Sequence, residues 1–91
     1  MALTDYQKLI QGNINRGEEV EIEFNAYRNI LTLISNDEVN YCILLLDQYR
    51  PNPITVLGTI PSYLTITHTQ YATKIKIKNN SSSYMIHYNF N

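Results

Sequence analysis

Residues 71–91 alternate more strictly than any other part of the chain. Tyr71, Thr73, Ile75 and Ile77 are interleaved with Ala72, Lys74, Lys76 and Lys78. Further on, Tyr84, Ile86, Tyr88 and Phe90 are interleaved with Ser83, Met85, His87 and Asn89. A period of two sends successive side chains to opposite faces of a strand, so each run has one apolar face. Between the runs stand Asn79, Asn80, Ser81 and Ser82, residue types that favour turns. The pattern predicts a β-hairpin with Tyr71, Ile75, Ile77, Tyr84, Ile86, Tyr88 and Phe90 on its inner face. Its outer face then carries Lys74, Lys76, Lys78, Met85 and His87, a concentrated basic surface.

A second alternation is equally clean. Val20, Ile22 and Phe24 point one way, and Glu19, Glu21 and Glu23 the other. Residues 27–49 admit two readings. Tyr27, Ile30, Leu31 and Ile34 have helical spacing, as do Val39, Cys42, Ile43 and Leu46. The abundance of β-branched and aromatic residues favours strands instead. Two strands near 27–34 and 39–48, joined through residues 35–38, are the preferred reading. The alternative is an α+β fold in which residues 26–35, residues 38–49 or both are helical. The unbroken apolar run from Cys42 to Leu46 implies burial on both faces and a central position.

Arg50, Pro51, Asn52 and Pro53 break the chain. Residues 54–60 and 63–69 read as further strands, with Gly58 a candidate bulge. Near the start, Thr4 and Gln7 have capping-box spacing, and Tyr6, Leu9 and Ile10 form a narrow apolar stripe. A short helix over 4–11 is expected, ended by Gly12 and Asn13. The whole chain, residues 1–91, is thus expected to be one mainly β domain. Its architecture is a small antiparallel sandwich or partly open barrel with one short N-terminal helix.

Composition narrows the function classes. A net charge of -1 suits neither a nucleic-acid clamp nor a strongly acidic mimic. The one cysteine, Cys42, precludes an intrachain disulfide and reads as a small buried thiol. Three glycines form no phosphate loop, and the serines at 81–83 lack a Gly-x-Ser-x-Gly context. His68 and His87 show no metal-ligand spacing. No membrane segment or leader is visible, so a cytoplasmic setting is expected, the host cytoplasm if the chain is viral. No cofactor, metal site or catalytic residue is assigned.

The acidic strand offers the sharpest alternative. Glu19-Val20-Glu21-Ile22-Glu23 resembles the Glu-x-Glu-x-Lys strand of the triphosphate tunnel metalloenzymes, in which strand glutamates hold a divalent metal. That resemblance implies a divalent-metal-dependent phosphohydrolase, or a subunit of one, with Lys74, Lys76 and Lys78 supplying its phosphate-facing side. The chain departs at Glu23, where the family has lysine. The family's closed tunnel also takes a longer chain and more basic residues than the seven here. The same side chains have a structural reading, as Glu and Lys strands lying side by side in cross-strand pairs. A second alternative is nucleic-acid binding through the lysines, with Tyr63, Tyr71, Tyr84 and Tyr88 stacking on bases. The alternation opposes it, because the hairpin register places Tyr84 and Tyr88 on the face away from Lys74 and Lys76.

With 16% charged residues and many Tyr, Asn and Thr, the surface suits protein contacts. The expected function is therefore a small non-enzymatic protein-binding or assembly module. Its Asn-, Ile- and Tyr-rich composition is common in AT-rich bacteria and their viruses, which points to a phage or viral accessory or host-inhibitory protein. A protein partner and a homo-oligomer, formed by edge pairing or face packing, are expected; a nucleic-acid or membrane partner is not. The contact residues expected are Lys74, Lys76, Lys78, Met85 and His87, and then Glu19, Glu21 and Glu23.

Overall fold

The computed structural model describes residues 10–25, 28–36 and 41–91. They form eight strands: β1 (Ile10–Ile14), β2 (Glu19–Glu23), β3 (Ile30–Ser35), β4 (Tyr41–Leu46), β5 (Ile54–Gly58), β6 (Leu64–Thr67), β7 (Lys74–Asn79) and β8 (Ile86–Phe90). A five-stranded sheet has the order β1-β8-β3-β4-β5, and a three-stranded sheet the order β2-β7-β6. Every pairing is antiparallel. Among the described residues there is no helix, and neither sheet closes on itself. The fold is mainly β and two-sheeted, as expected.

Alternation explains the core. The larger sheet turns Ile14, Leu31, Leu33, Cys42, Leu44, Leu46, Ile86 and Phe90 inward. The smaller sheet supplies Ile22, Leu64, Ile75 and Ile77, with Phe24 and Ala72 from its flanks. All fourteen belong to one buried cluster. At ~1.5–3 kcal/mol for each large apolar side chain removed from water, this shared core is the main stabilising term.

The strand reading near 27–34 and 39–48 holds as Ile30–Ser35 and Tyr41–Leu46; residues 26–27 and 37–40 lie outside the described residues. β3 and β4 pair from Ile30↔Leu45 to Ile34↔Tyr41, and the helical alternative falls for the described part of that segment. The N-terminal helix is corrected where it can be seen. Residues 4–9 lie outside the described residues, but Ile10 and Gln11 belong to β1, which runs on through Gly12 and Asn13. Gly12 lies across from Tyr88, and a Cβ on it would meet the Tyr88 hydroxyl at 2.8 Å. The glycine accommodates an aromatic ring beside an edge strand; it does not stop a helix.

The terminal hairpin is also corrected. β7 and β8 lie in different sheets, so residues 80–85 carry the chain across the core. Each strand needs one buried face, and that need is met equally by pairing side by side or by facing each other across a core. Asn79 decides between them. It is fully buried, and its Nδ2 donates to the Ile14 carbonyl at 3.0 Å and the Tyr84 carbonyl at 2.8 Å. Its Oδ1 accepts from the Ser81 N–H at 2.9 Å. Its backbone N–H donates to Glu18 and its carbonyl accepts from Gly17. Tyr71 and Tyr84, expected inside, are 58% and 38% exposed. Tyr71 occupies the β6–β7 turn at φ 51° rather than a strand.

Asn79→Ala should lower unfolding stability by about 1–3 kcal/mol, since it strands the buried Ile14 carbonyl and unpairs the part-buried Tyr84 carbonyl and Ser81 N–H. Asn79→Asp should be at least as harmful near neutral pH, because a carboxylate cannot donate to those carbonyls. Part of its loss should return as pH falls and the carboxyl takes up a proton. Urea titrations of the variants at two pH values test this; a loss below about 0.5 kcal/mol in Asn79→Ala would contradict the role given to the amide.

Candidate functional site

The outer face of the smaller sheet is a charge ladder. Glu19 lies across from Lys78, Glu21 from Lys76 and Glu23 from Lys74. Beyond the lysines, Thr65 lies across from Lys78 and Thr67 from Lys76. The Lys74 ammonium approaches the Glu21 carboxylate diagonally, at 3.7 Å. The alternation that buries Ile22, Ile75 and Ile77 forces these six charges outward, and the register sets opposite signs side by side. Each glutamate thus has a lysine as its register partner within the sheet, and Glu21 forms an ion pair with Lys74. They face away from the core on an edge strand, not into a tunnel. Among the described residues, no three His, Cys, Asp or Glu side chains converge so as to hold a metal ion.

The basic face expected of a hairpin does not exist as one surface. Lys74, Lys76 and Lys78 lie on the smaller sheet, whereas Met85 and His87 go with the larger one. His87 lies across from Asn13 and Ile34, and its Nδ1 is 2.9 Å from Asn13 Oδ1. The Met85 N–H donates to Asn36 Oδ1, and its carbonyl accepts from the Asn36 N–H. His68 lies just past β6, its Nδ1 2.9 Å from the Thr69 carbonyl. The tyrosines scatter too. Tyr63 donates from its hydroxyl to Ser35 Oγ at 3.0 Å, and its ring lies 5.7 Å from that of Tyr84.

A surface not anticipated as exposed stands on the larger sheet. Its outward positions include Ile30, Thr32 and Ile34 on β3, Tyr41, Ile43 and Leu45 on β4, and Thr55 and Leu57 on β5. Ile30, Ile34, Tyr41, Leu45 and Leu57 are between 37% and 65% exposed. The cross-strand pairs Ile30↔Leu45, Ile34↔Tyr41 and Ile43↔Leu57 make this a continuous apolar field over three strands. At one end it runs into an open depression of about 600 Å³, where Ile30, Leu45 and Thr55 meet Asn25, Asn29 and the 47–50 turn. Tyr49 stands at that rim, 76% exposed, and Arg50 Nε lies 3.2 Å from Asp47 Oδ2. The run from Cys42 to Leu46 was the available signal for this face. It correctly implied two apolar faces, but only one is buried against the second sheet.

Comparison with protein-family models, with curated proteins and with solved structures gives no match for this chain. Among the described residues no helix is long and apolar enough to cross a membrane.

Cys42 sits on the inner face, fully buried, and burial pushes its thiol above the ordinary value. The fold thus keeps the proton to higher pH than the unfolded chain does. This contribution to stability is complete below the ordinary thiol value and is lost as pH rises from there through the raised value of the folded state. Folded protein should resist a thiol-labelling reagent at about pH 8 and react at once in denaturant. Equal labelling rates with and without denaturant would refute the burial. On the charge ladder, Lys76→Glu should cost under about 1 kcal/mol, because the pairs are exposed. The swap Glu21→Lys with Lys76→Glu should recover most of that loss, and 1 M salt should shrink it. Urea midpoints at low and high salt measure both effects.

Proposed function

We propose that this chain is a protein-binding and assembly module that acts by contact rather than by catalysis. One observation carries the reading: the apolar field of Ile30, Ile34, Tyr41, Ile43, Leu45 and Leu57, which no other described element covers. Apolar area left in water is unfavourable, and contiguous apolar patches on a sheet face commonly mark contact surfaces. The rim adds residue types that dominate contact energies, Tyr49 and Arg50 beside the depression and Tyr41 within the field. The polar positions flanking the field on β8 and β1 are His87, Asn89, Gln11 and Asn13, which carry no full charge when His is neutral. Such a surface loses little in desolvation when another protein covers it.

The ladder of Glu19, Glu21, Glu23, Lys74, Lys76 and Lys78 serves this reading as a soluble, self-compensated opposite face. His87 and Met85 stay within the contact proposal as flanks of the apolar field and of the β7–β8 crossing. The setting suggested by composition, an accessory or host-inhibitory protein of a phage or virus, belongs to the same proposal.

Ile34→Lys and Leu45→Lys test it, because both positions face outward and the substitutions leave the core intact. Each variant should unfold within about 0.5 kcal/mol of the parent. Each should weaken capture of a specific protein partner, or self-association, by about thirtyfold, as expected of a contact residue worth ~2 kcal/mol. A parent protein that is strictly monomeric and retains no partner would sink the proposal, as would unchanged affinity in both variants.

A further inference from the structure

The two sheets differ in width, and β5 is where the difference falls. It is the outer strand of the five-stranded sheet, and β4 is its one neighbour among the described residues. Val56 lies across from inward-facing Leu44, yet it is 39% exposed, because the three-stranded sheet does not reach over it. The hydrogen-bond phase of β5 follows from its flank. The Asp47 N–H donates to the Pro53 carbonyl at 2.8 Å, so this pair is hydrogen-bonded. In an antiparallel ladder such pairs alternate, so Leu45↔Thr55 and Ile43↔Leu57 are the next ones. On the far side of β4, the Leu46 N–H donates to the Asn29 carbonyl, which gives the same phase. Thr55 and Leu57 therefore spend their backbone groups on β4. Ile54, Val56 and Gly58 direct theirs outward, to the free edge.

At that edge the Ile54 N–H is taken by Asn52 Oδ1 at 3.2 Å. Among the described residues, the outward groups of Val56 and Gly58 have no backbone partner. The other edges differ. β2 presents Glu19, Glu21 and Glu23, which would repel one another in a self-pair. β6 is a four-residue strand, and β1 begins at the limit of the described residues. β5, of sequence Ile-Thr-Val-Leu-Gly, is a residue longer than β6, lies wholly among described residues, and carries no charge or proline that would oppose pairing with its own copy.

The geometry points to β5 as a self-association edge, pairing antiparallel with β5 of a second copy about a two-fold axis at Val56. In this register Val56 exchanges a reciprocal pair of backbone bonds with Val56 of the second copy. The Gly58 N–H donates to the Ile54 carbonyl, and the symmetry returns the same bond. Asn52 keeps its own bond throughout. Thr55 lies across from Leu57 of the second copy on the exposed outer face, so its hydroxyl stays in water. The axis is normal to the sheet, so the two apolar outer faces lie on one side of a single continuous sheet. This deepens the assembly reading by naming the surface, the register and the partner, and it stands on β5 rather than on the apolar field.

Val56→Pro isolates the edge. Its N–H points away from β4, so proline removes the outward donor without breaking a β4–β5 bond. Val56→Lys is the second variant, setting like charges across the axis while keeping the backbone. Ile34→Lys is the control on the outer face. Sedimentation equilibrium up to about 100 μM should show a dimer for the parent and for Ile34→Lys. Both Val56 variants should raise its dissociation constant by about tenfold or more, with thermal melts confirming that they fold. A parent that stays monomeric overturns the inference, as does a dimer unmoved by either folded Val56 variant. A dimer lost in Ile34→Lys but kept in Val56→Lys overturns it as well, while leaving the contact role of the apolar face standing.

Discussion

The buried amide of Asn79 is the constraint on which the two-sheet arrangement depends. An unpaired amide inside a core costs about 1–3 kcal/mol for each group left without a partner. Asn79 avoids that cost only where the end of β1, the start of the 80–85 segment and the chain before β8 all converge on it. Its main chain is held as well, by Gly17 and Glu18 of the β1–β2 turn. That turn is tight because Gly17 adopts φ 79°, and the Glu18 N–H donates back to the Asn15 carbonyl. One side chain thus joins two passages between the sheets. A hairpin between β7 and β8 would leave the amide in a solvated loop and lose these bonds.

This explains which parts of the fold were legible in the sequence. Strands near 27–34 and 39–48, read from β-branched and aromatic content against a helical spacing, are present as Ile30–Ser35 and Tyr41–Leu46. Periodicity reports which side of a strand is apolar, and the strands read from it within residues 19–24 and 71–78 are present as Glu19–Glu23 and Lys74–Asn79. It does not report which strand lies alongside. The β7–β8 hairpin failed for that reason, and so did the basic face built on it. β1 failed for another. Its sequence Ile-Gln-Gly-Asn-Ile has a glycine and an asparagine at the positions where a helix would end. Its strand state comes from pairing with β8 and from the Tyr88 ring over Gly12, contacts seventy-odd residues away in the chain. Tertiary pairing overrides local propensity most easily at such short segments.

The candidate site was half legible for a related reason. The Glu and Lys stripes were visible as stripes, and their meaning depended on whether they meet. The strands that carry them are paired, with each glutamate across from a lysine, which converts two charged faces into one compensated face. The apolar run of β4 was read as burial on both sides. A chain of this length can build one core but has little material left for a third layer. The second apolar face is consequently left outward, where it costs free energy unless another molecule covers it.

The two outer faces differ in what a contact with them would cost. A compensated ladder has little net field, so it neither attracts nor strongly repels a second copy. Its strongly hydrated charges nonetheless make close packing costly to desolvate. Association through the smaller sheet is disfavoured on that account, and like charges guard its β2 edge as well. The larger sheet has neither protection: its outer face is apolar and its β5 edge is uncharged with outward backbone groups. Where contacts form, the same physical terms that shape the core, apolar burial and backbone pairing, direct them to the larger sheet. The absence of a third layer among the described residues leaves the outer face open, and the unequal width of the two sheets, five strands against three, leaves the β5 edge uncovered.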